Sequence, residues 1–168
     1  MPSLSWRGTI PLSSKLFGGC KVDKYEVGFT TGVFDLFHVG HLNLLKNAKA
    51  MCKHLIVGVT TDDEVLRVKN RKPVIPFNER IEIVQSLKYV DEAVPDTNVN
   101  KIMSWQQYRF NAIFKGDDWK GSIMWVEYEK YFTESGVDVI YFPYTRHTSS
   151  TRIREVLDFI YSEAASTK

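Results

Sequence analysis

Short apolar runs alternate with segments of helical spacing along most of the chain. A β-prone run covers residues 25–31, and Leu42, Leu45 and Ala48 then recur at helical spacing, which predicts a helix over 40–53. The nearly continuous apolar run 54–60 is typical of a strand that is buried on both faces. Strands separated by helices in this way indicate βαβ units and a parallel sheet.

The same alternation continues to the end of the chain. Further strands are predicted over 89–94, 112–115 and 137–142, with helices over 62–68, 78–87, 102–110, 126–135 and from Ser149 or Ser150 to about 164. Asn78 is the predicted N-cap of the second of these helices. We therefore predict an α/β fold: one Rossmann-like, doubly wound domain over 25–168, with a five-stranded parallel sheet flanked by helices, after an N-terminal extension over 1–24. Ligands of such sheets bind beyond the carboxyl ends of the strands.

Composition and charge narrow the class of protein. The chain has 168 residues, 43% of them hydrophobic, and 22 Lys and Arg against 20 Asp and Glu, which is the balance of one globular domain rather than of a nucleic-acid-coating protein. No apolar run reaches the roughly 18 residues of a transmembrane helix, and no signal peptide is recognisable, so we expect a cytoplasmic protein without a membrane partner. Cys20 and Cys52 are too few for a disulfide scaffold or a four-ligand zinc site.

The candidate chemistry lies directly after the first predicted strand, in the ten residues from Gly32 to His41 (GVFDLFHVGH). His38 and His41 stand at the start of a predicted helix, where free backbone N–H groups and the helix dipole favour anions. Gly40 allows a phosphate to approach the backbone, because it has no Cβ. A metal site is the alternative for such a pair, but no Cys cluster or carboxylate triad accompanies it, so we predict no metal ligands.

Four later segments follow this motif in order. They are Lys72 in a basic loop, Arg80 near a helix start, Gly116 to Trp119 (GDDW) after the fourth strand, and Thr148 to Thr151 before the last helix. Together with the first motif they resemble the cytidylyltransferases of the HxGH nucleotidyltransferase superfamily, and among these the glycerol-3-phosphate cytidylyltransferases.

The resemblance implies a reaction. CTP and a small phosphorylated alcohol, foremost sn-glycerol 3-phosphate, would give a CDP-alcohol and pyrophosphate, with Mg²⁺ as the cofactor and a homodimer as the assembly. Phosphocholine, phosphoethanolamine or a sugar phosphate are alternative acceptors, and a nucleotide-binding module without catalysis is the alternative from another class. The aromatic residues that could form a cage for a quaternary ammonium also have the spacing of core positions; they are Trp105, Tyr108, Trp125 and Tyr128.

The resemblance also implies roles for particular residues. The catalytic residues would be His38, His41, Lys72 and Arg80. The acceptor would be bound by Lys69, Arg71 and Lys72. The nucleotide would be bound by Val33, Phe34, Asp35, Gly40, Gly116, Asp117, Asp118, Trp119, Arg146, Thr148, Ser149, Ser150 and Thr151.

Each of these later segments also has a purely structural interpretation. Lys69 could belong to a solvated basic turn and Arg80 to a helix surface, while Asp118 could cap a helix beside a core Trp119. The Ser/Thr block could be an ordinary N-cap. The family arginine near this block is replaced by Tyr144, so either Arg146 or Arg152 would have to supply its charge.

Overall fold

The computed structural model describes residues 24–98, 100–145 and 148–166, so the predicted extension over 1–24 lies, except for Lys24, outside the described residues. Helices and strands alternate through this part of the chain. In chain order they are β1 (Tyr25–Gly32), α1 (Val39–Lys49), β2 (Cys52–Thr60), α2 (Asp62–Lys69), α3 (Phe77–Gln85), β3 (Glu92–Asp96), α4 (Lys101–Tyr108), β4 (Ala112–Gly116), a 3₁₀ helix (Asp117–Trp119), α5 (Ile123–Glu134), β5 (Asp138–Phe142) and α6 (Ser150–Ser166).

The strands form one parallel five-stranded sheet in the order β3-β2-β1-β4-β5. The register pairs Tyr25 with Cys52 on one side of β1 and Thr30 with Phe114 on the other. The strand order reverses between β1 and β4, which places the ligand crevice of such a sheet at the carboxyl ends of these strands. The predicted fold class and strand number are confirmed.

Helices cover both faces of the sheet, because strand side chains alternate between the faces. Phe114 packs on one face in a core cluster with Leu45 of α1 and Val84 of α3. Its neighbour Ile113 packs on the other face with Trp125 of α5. We refer to these as the α1/α3 face and the α4/α5 face.

The four aromatic residues considered for an ammonium cage belong to the core. Trp125 and Tyr128 are buried in the α4/α5 cluster, and Trp105 and Tyr108 pack against it. Packing is therefore the use that the fold makes of their helical spacing.

One glycine of β1 is required by a close approach across the sheet. A Cβ at Gly28 would lie 2.6 Å from Cε2 of Phe114 and 2.7 Å from Sγ of Cys52. These distances are far below normal van der Waals contact, so any larger residue would displace β1 from its neighbours.

The structure moves several predicted boundaries. α1 ends at Lys49 rather than at residue 53, because β2 already begins at Cys52, which pairs with β1. α3 begins at Phe77 with Pro76 as its N-cap, so the prediction of Asn78 as the cap is wrong. β3 covers Glu92–Asp96 instead of 89–94, and α5 begins at Ile123 instead of residue 126.

Candidate active site

A cavity of about 370 Å³ opens at the carboxyl edge of the sheet, where the topology places a ligand crevice. Its lining comes from the loop after β1, the start of α1, the basic segment 69–73, the ends of β3 and β4, and the start of α6. Most of the predicted site residues meet here, although they are spread over more than 100 positions of the chain.

His38 and His41 form the N-terminus of α1 and line the cavity. Their rings stack with centroids 4.0 Å apart. Nδ1 of His38 accepts from the backbone N–H of Gly40 at 3.0 Å, and Nδ1 of His41 accepts from the backbone N–H of His38 at 3.4 Å. The two imidazoles thus act as a capping box, a role usually taken by Ser, Thr or Glu side chains.

These bonds determine the tautomer of each ring. Because both Nδ1 atoms accept hydrogen bonds, the proton of each neutral imidazole is assigned to Nε2 on the opposite edge of the ring. Burial, with a smaller effect from His38, lowers the pKa of His41 to about 3, and burial also lowers the pKa of His38. Two neutral N–H donors are therefore available for the oxygen atoms of an anion.

Gly40 is needed by the histidine pair itself. A Cβ at this position would lie 2.8 Å from Cε1 and 2.9 Å from Nδ1 of His38. The sequence interpretation assigned Gly40 to phosphate approach; the structure shows that the glycine leaves room for the capping imidazole.

The loop between β1 and α1 has a constrained backbone. Phe34 and Leu36 both have left-handed conformations, with φ of 53° and 48°. Such values are uncommon for residues with a side chain and are found where the surroundings enforce them. The Phe34 ring is buried in the α1/α3 core and packs edge-on against the His41 ring, with the ring centroids 5.3 Å apart. Phe34 therefore helps to fix the position of the His41 ring.

Asp35, between these two residues, connects three segments of the site. Its carboxylate accepts from the backbone N–H groups of Val74 and Ile75 at 2.9–3.1 Å and forms an ion pair with Arg154 of α6 at 2.5 Å. Its carbonyl accepts from the hydroxyl of Ser150 at 2.6 Å. The carboxylate is thus engaged by protein groups, which makes Asp35 the residue that orients the loop.

Arg80 is not in the cavity, and the prediction that its guanidinium points there is wrong. The residue is 1% exposed and donates to the carbonyls of Ile75 and Val33 and to the carboxylate of Asp62. A guanidinium has five donors in a rigid plane and can bind several acceptors at once. Arg80 therefore positions the backbone at Val33 rather than touching a ligand.

The basic segment supplies cations to one wall of the cavity. Lys69, Arg71 and Lys72 all line it, as predicted, and none of them forms an ion pair within the described residues. Partial desolvation and the cations of Arg71 and Arg154 lower the pKa of Lys69, although much of the residue faces solvent. Cations that repel one another in this way favour the binding of a polyanion.

The turn after β4 contributes three of its four predicted residues to the cavity: Gly116, Asp118 and Trp119. Asp117 instead accepts from the backbone N–H of Tyr144 at 2.9 Å and joins the turn to the segment after β5. Trp119 is 41% exposed, so the alternative in which it belongs to the core is wrong. Burial raises the pKa of Asp118.

The Ser/Thr block places Ser149, Ser150 and Thr151 on the cavity wall, whereas Thr148 is not part of the lining. The hydroxyl of Ser149 accepts from the backbone N–H of Arg152 at 3.2 Å, as an N-cap does. Arg146 lies outside the described residues. The cation that α6 sends into the site is Arg154, which sequence reasoning missed although it follows Ser150 by one helical turn.

The sequence interpretation also missed a polar cluster at the cavity floor, which consists of Thr31, Asp96, Lys101 and Lys115. The sequence feature that could have revealed this cluster is a charged or hydroxyl residue at the carboxyl end of each of three buried strands. Lys115 interrupts the apolar strand β4, and Asp96 ends β3. Charged residues are seldom buried, and ligands of a parallel sheet bind at this edge, so the cluster indicates a ligand site.

Within the part of the chain that the structure describes, no group of three or more His, Cys, Asp or Glu side chains could hold a metal ion. None of the helices described there is long and apolar enough to cross a membrane.

The parallel sheet, the paired imidazoles at a helix N-terminus and the facing cations are the features of a nucleotide-binding α/β protein of the nucleotidyltransferase class. Residues 29–156 match the model of the cytidylyltransferase-like family, which is most of the chain. The chain belongs to this family.

The relatives agree with this assignment. The chain is 37% identical over 127 residues to a glycerol-3-phosphate cytidylyltransferase of Bacillus spizizenii, covering 75% of this chain and 92% of the relative. The corresponding protein of Staphylococcus aureus is 31% identical over 129 residues, covering 76% and 92%. An ethanolamine-phosphate cytidylyltransferase of Arabidopsis thaliana is 36% identical over 95 residues, covering 54% of this chain and 22% of that protein.

A solved structure shares the fold. The lipopolysaccharide core biosynthesis protein of Thermoplasma volcanium superposes with a TM-score of 0.61 at 26% identity, covering 72% of this chain and 99% of the other. The expectation of a CTP-dependent nucleotidyltransferase is thus confirmed at the level of the family.

Proposed function

We propose that this protein transfers CMP from CTP to a small phosphorylated alcohol, foremost sn-glycerol 3-phosphate, and releases pyrophosphate. The observation that carries the proposal is the stacked pair of His38 and His41, whose Nε2 donors lie at the N-terminus of α1 on the cavity wall. The same cavity is lined by cations that form no ion pair among the described residues. The cytidylyltransferases among the relatives support CTP as the nucleotide and a phosphorylated alcohol as the acceptor.

The reaction needs no protein nucleophile. An oxygen of the acceptor phosphate attacks the α-phosphorus of CTP and forms the new P–O bond, while the bond from this phosphorus to the bridging oxygen breaks and pyrophosphate leaves. Catalysis then consists of alignment and charge stabilisation. His38 and His41 donate hydrogen bonds to phosphate oxygens, where negative charge grows as the bond breaks.

The basic segment offsets the repulsion between the two anionic substrates. Lys69, Arg71 and Lys72 line the cavity and bind phosphate oxygens of the two substrates. Two polyanions that must react repel each other, and these cations offset the repulsion. Ser149 and Thr151 add hydroxyl and backbone N–H donors at the start of α6 for the β- and γ-phosphates.

We propose that Mg²⁺ enters with CTP. The described residues offer no three-residue ligand cluster, and the carboxylate of Asp35 is bound by protein groups. Mg²⁺ is commonly held by substrate phosphates and waters with one or two carboxylates, and we assign this role to Asp118 on the cavity wall. Bound Mg²⁺ would neutralise phosphate charge. The homodimer and the cytoplasmic location stay predictions.

A pyrophosphate-release assay with CTP and a panel of acceptors tests the function. We expect turnover with CTP and sn-glycerol 3-phosphate and little with ATP, GTP or UTP. Lys72→Met should lower kcat/KM by about tenfold or more, because a bond to a charged group is lost. The matched control is Lys88→Met, which removes an exposed lysine outside the cavity. No release with CTP and any acceptor would refute the proposal.

A further inference from the structure

The cavity extends from the histidines to a buried polar cluster on the other face of the sheet. Thr31, Asp96 and Lys115 lie at the carboxyl ends of β1, β3 and β4, and alternation directs them to the same face as Phe29, Val94 and Ile113. Lys101 joins them from the first turn of α4. We call these four residues the floor cluster; they are Thr31, Asp96, Lys101 and Lys115, and all line the cavity.

Asp96 is only partly used by the protein. Its Oδ2 atom accepts from the hydroxyl of Thr31 and from Nζ of Lys101, the latter at 2.7 Å. Among the described residues, no donor is recorded for Oδ1 of Asp96. The Asp96 carboxylate is 7% exposed, so water has little access to this oxygen from outside the cavity. Asp96 therefore presents an acceptor to whatever fills the cavity floor.

Lys115 presents donors at the same place. Its ammonium donates to the carbonyl of Thr31 at 2.8 Å and lies over the rings of Trp119 and Trp125 at 5.1 and 5.4 Å. An ammonium has three N–H donors, so two are left without an oxygen acceptor among the described residues. The residue is 8% exposed, and burial, assisted by the nearby Lys101, lowers the pKa of Lys115 to about 7.

Such an arrangement is costly for the fold alone. A buried polar group without a partner destabilises a protein, and an ammonium does so more than a neutral group. The strand has no packing need for a lysine here, because its neighbours Ile113 and Phe114 fill the two cores. The spare donors and the spare acceptor are therefore best explained by a ligand.

The floor cluster fits one kind of chemical group. A hydroxyl both donates and accepts, so it can accept a hydrogen bond from the ammonium of Lys115 and donate one to Oδ1 of Asp96. A primary or quaternary ammonium would instead meet two lysines against a single carboxylate. We propose that Lys115 and Asp96 bind the hydroxyl-bearing end of the phosphorylated acceptor and thereby select a polyol phosphate over an amino-alcohol or choline phosphate; this rests on the proposed function.

The ribose of CTP carries hydroxyls too, and position favours the acceptor. Asp96 ends β3, which lies on the opposite side of β1 from β4 and its turn, whereas Lys115 ends β4 beside Trp119. Thr31 of β1 connects the two residues, since its carbonyl accepts from Lys115 and its hydroxyl donates to Asp96. The turn after β4 carries Trp119, whose exposed ring is available to the nucleotide. An acceptor with its phosphate near the basic segment and its hydroxyls on the floor cluster would thus approach from the β3 side.

Calorimetric titration of the full chain, saturated with the non-reactive analogue α,β-methylene-CTP, tests the inference without requiring turnover. The acceptors are sn-glycerol 3-phosphate, propyl phosphate, which lacks both hydroxyls, and phosphoethanolamine. We expect the wild-type protein to bind glycerol phosphate at least about tenfold more tightly than the other two, since only its hydroxyls can both accept from Lys115 and donate to Asp96. Equal binding of propyl phosphate would overturn the inference without any variant.

Lys115→Met then assigns the residue. Methionine preserves the length of the side chain without its charge, and Lys88→Met is the control outside the cavity. We expect Lys115→Met to weaken glycerol phosphate about tenfold or more and propyl phosphate less than about threefold, with unchanged affinity for the CTP analogue. Equal losses of affinity for glycerol phosphate and propyl phosphate would overturn the assignment. A loss of affinity for the CTP analogue that is absent with its 2′-deoxy form would also overturn it, and would assign Lys115 to the ribose instead.

The two proposals fail differently. If the selective loss is found and pyrophosphate is never released, the polyol phosphate site stands and the cytidylyl transfer does not. If the wild-type protein turns over phosphocholine or phosphoethanolamine as well as glycerol phosphate, the transfer stands and the role of the floor cluster is refuted.

Discussion

The guanidinium of Arg154 lies 2.5 Å from the carboxylate of Asp35, although the two residues are 119 positions apart in the chain. The same carboxylate holds the backbone of Val74 and Ile75, so a single buried group joins the loop after β1, the segment that follows the basic loop, and the last helix. This ion pair therefore connects three of the segments that form the cavity walls.

Removal of this charge should loosen the site. We expect Asp35→Asn to lower kcat/KM for CTP by about 10²-fold, because the walls that align the substrates would shift. Steady-state pyrophosphate release measures the effect. The double variant Asp35→Asn/Arg154→Met should be more stable than Asp35→Asn alone, since it no longer leaves a half-buried guanidinium unpaired. If the double variant lost as much stability as Asp35→Asn and Arg154→Met lose together, the coupling would be contradicted.

The cap of α1 and the chemistry of His38 can be separated. His38→Ala removes both the imidazole donor and the acceptor for Gly40, so we expect kcat to fall about 10²-fold and stability to fall by about 1 kcal/mol. His38→Asn restores a good N-cap without the imidazole, so stability should recover while kcat stays low. Urea unfolding and turnover would be measured on the same samples. Recovery of kcat in His38→Asn would show that the imidazole serves only as a cap.

The half-buried His41 should make stability depend on pH. Its pKa is about 3 in the folded protein against an ordinary value of 6.5, so the unfolded chain binds a proton below pH 6.5 that the folded chain refuses. The free energy of unfolding therefore falls as the pH drops from about 6.5 toward 3, at up to about 1.4 kcal/mol per pH unit from this group. Lowering of the pKa of His38 acts in the same direction.

His41→Gln isolates this contribution. We expect urea unfolding between pH 7.5 and 4.5 to give a smaller loss of stability in the variant than in the wild-type protein. Parallel curves for the two proteins would contradict the neutral state of the half-buried His41 ring.

Arg80 is expected to behave as a structural residue that supports the site. Arg80→Met leaves Asp62 and the carbonyls of Ile75 and Val33 without their buried donor, which should cost about 3 kcal/mol of unfolding free energy. Arg80→Lys should recover only part of this, because an ammonium lacks the planar fork. The control Arg152→Met changes an exposed arginine and should alter stability by less than about 0.5 kcal/mol. A fully stable Arg80→Met protein would refute the positioning role.

The fold was predictable because its signals are local. Apolar runs of strand length and helical spacing predicted all five strands and their parallel arrangement. The errors lie at boundaries that depend on tertiary pairing: β2 begins at Cys52 because Cys52 pairs with Tyr25, and no local pattern reveals this. The start of α3 was misplaced because a proline, rather than the neighbouring Asn78, occupies the cap.

The site was predictable where residues act through their position in one segment, as in the histidine pair. It was not predictable where a side chain acts across the fold. Arg80 looked like a ligand-binding arginine, yet its environment is made by Asp62 and by backbone carbonyls of two loops. Lys115 looked like an ordinary residue of a strand. Only the arrangement of three strand ends side by side in the sheet shows that it lies with Asp96 at the cavity floor.

The central claim is the transfer of CMP to an acceptor phosphate inside this cavity. ³¹P NMR of a mixture of the protein, Mg²⁺, CTP and sn-glycerol 3-phosphate tests it most directly, with His41→Ala as the comparison. We expect CTP and the acceptor to disappear together as the paired diphosphate signals of a CDP-alcohol and the signal of pyrophosphate grow, about 10²-fold more slowly in the variant. Unchanged CTP, acceptor-independent formation of CMP, or equal rates in the two proteins would contradict it.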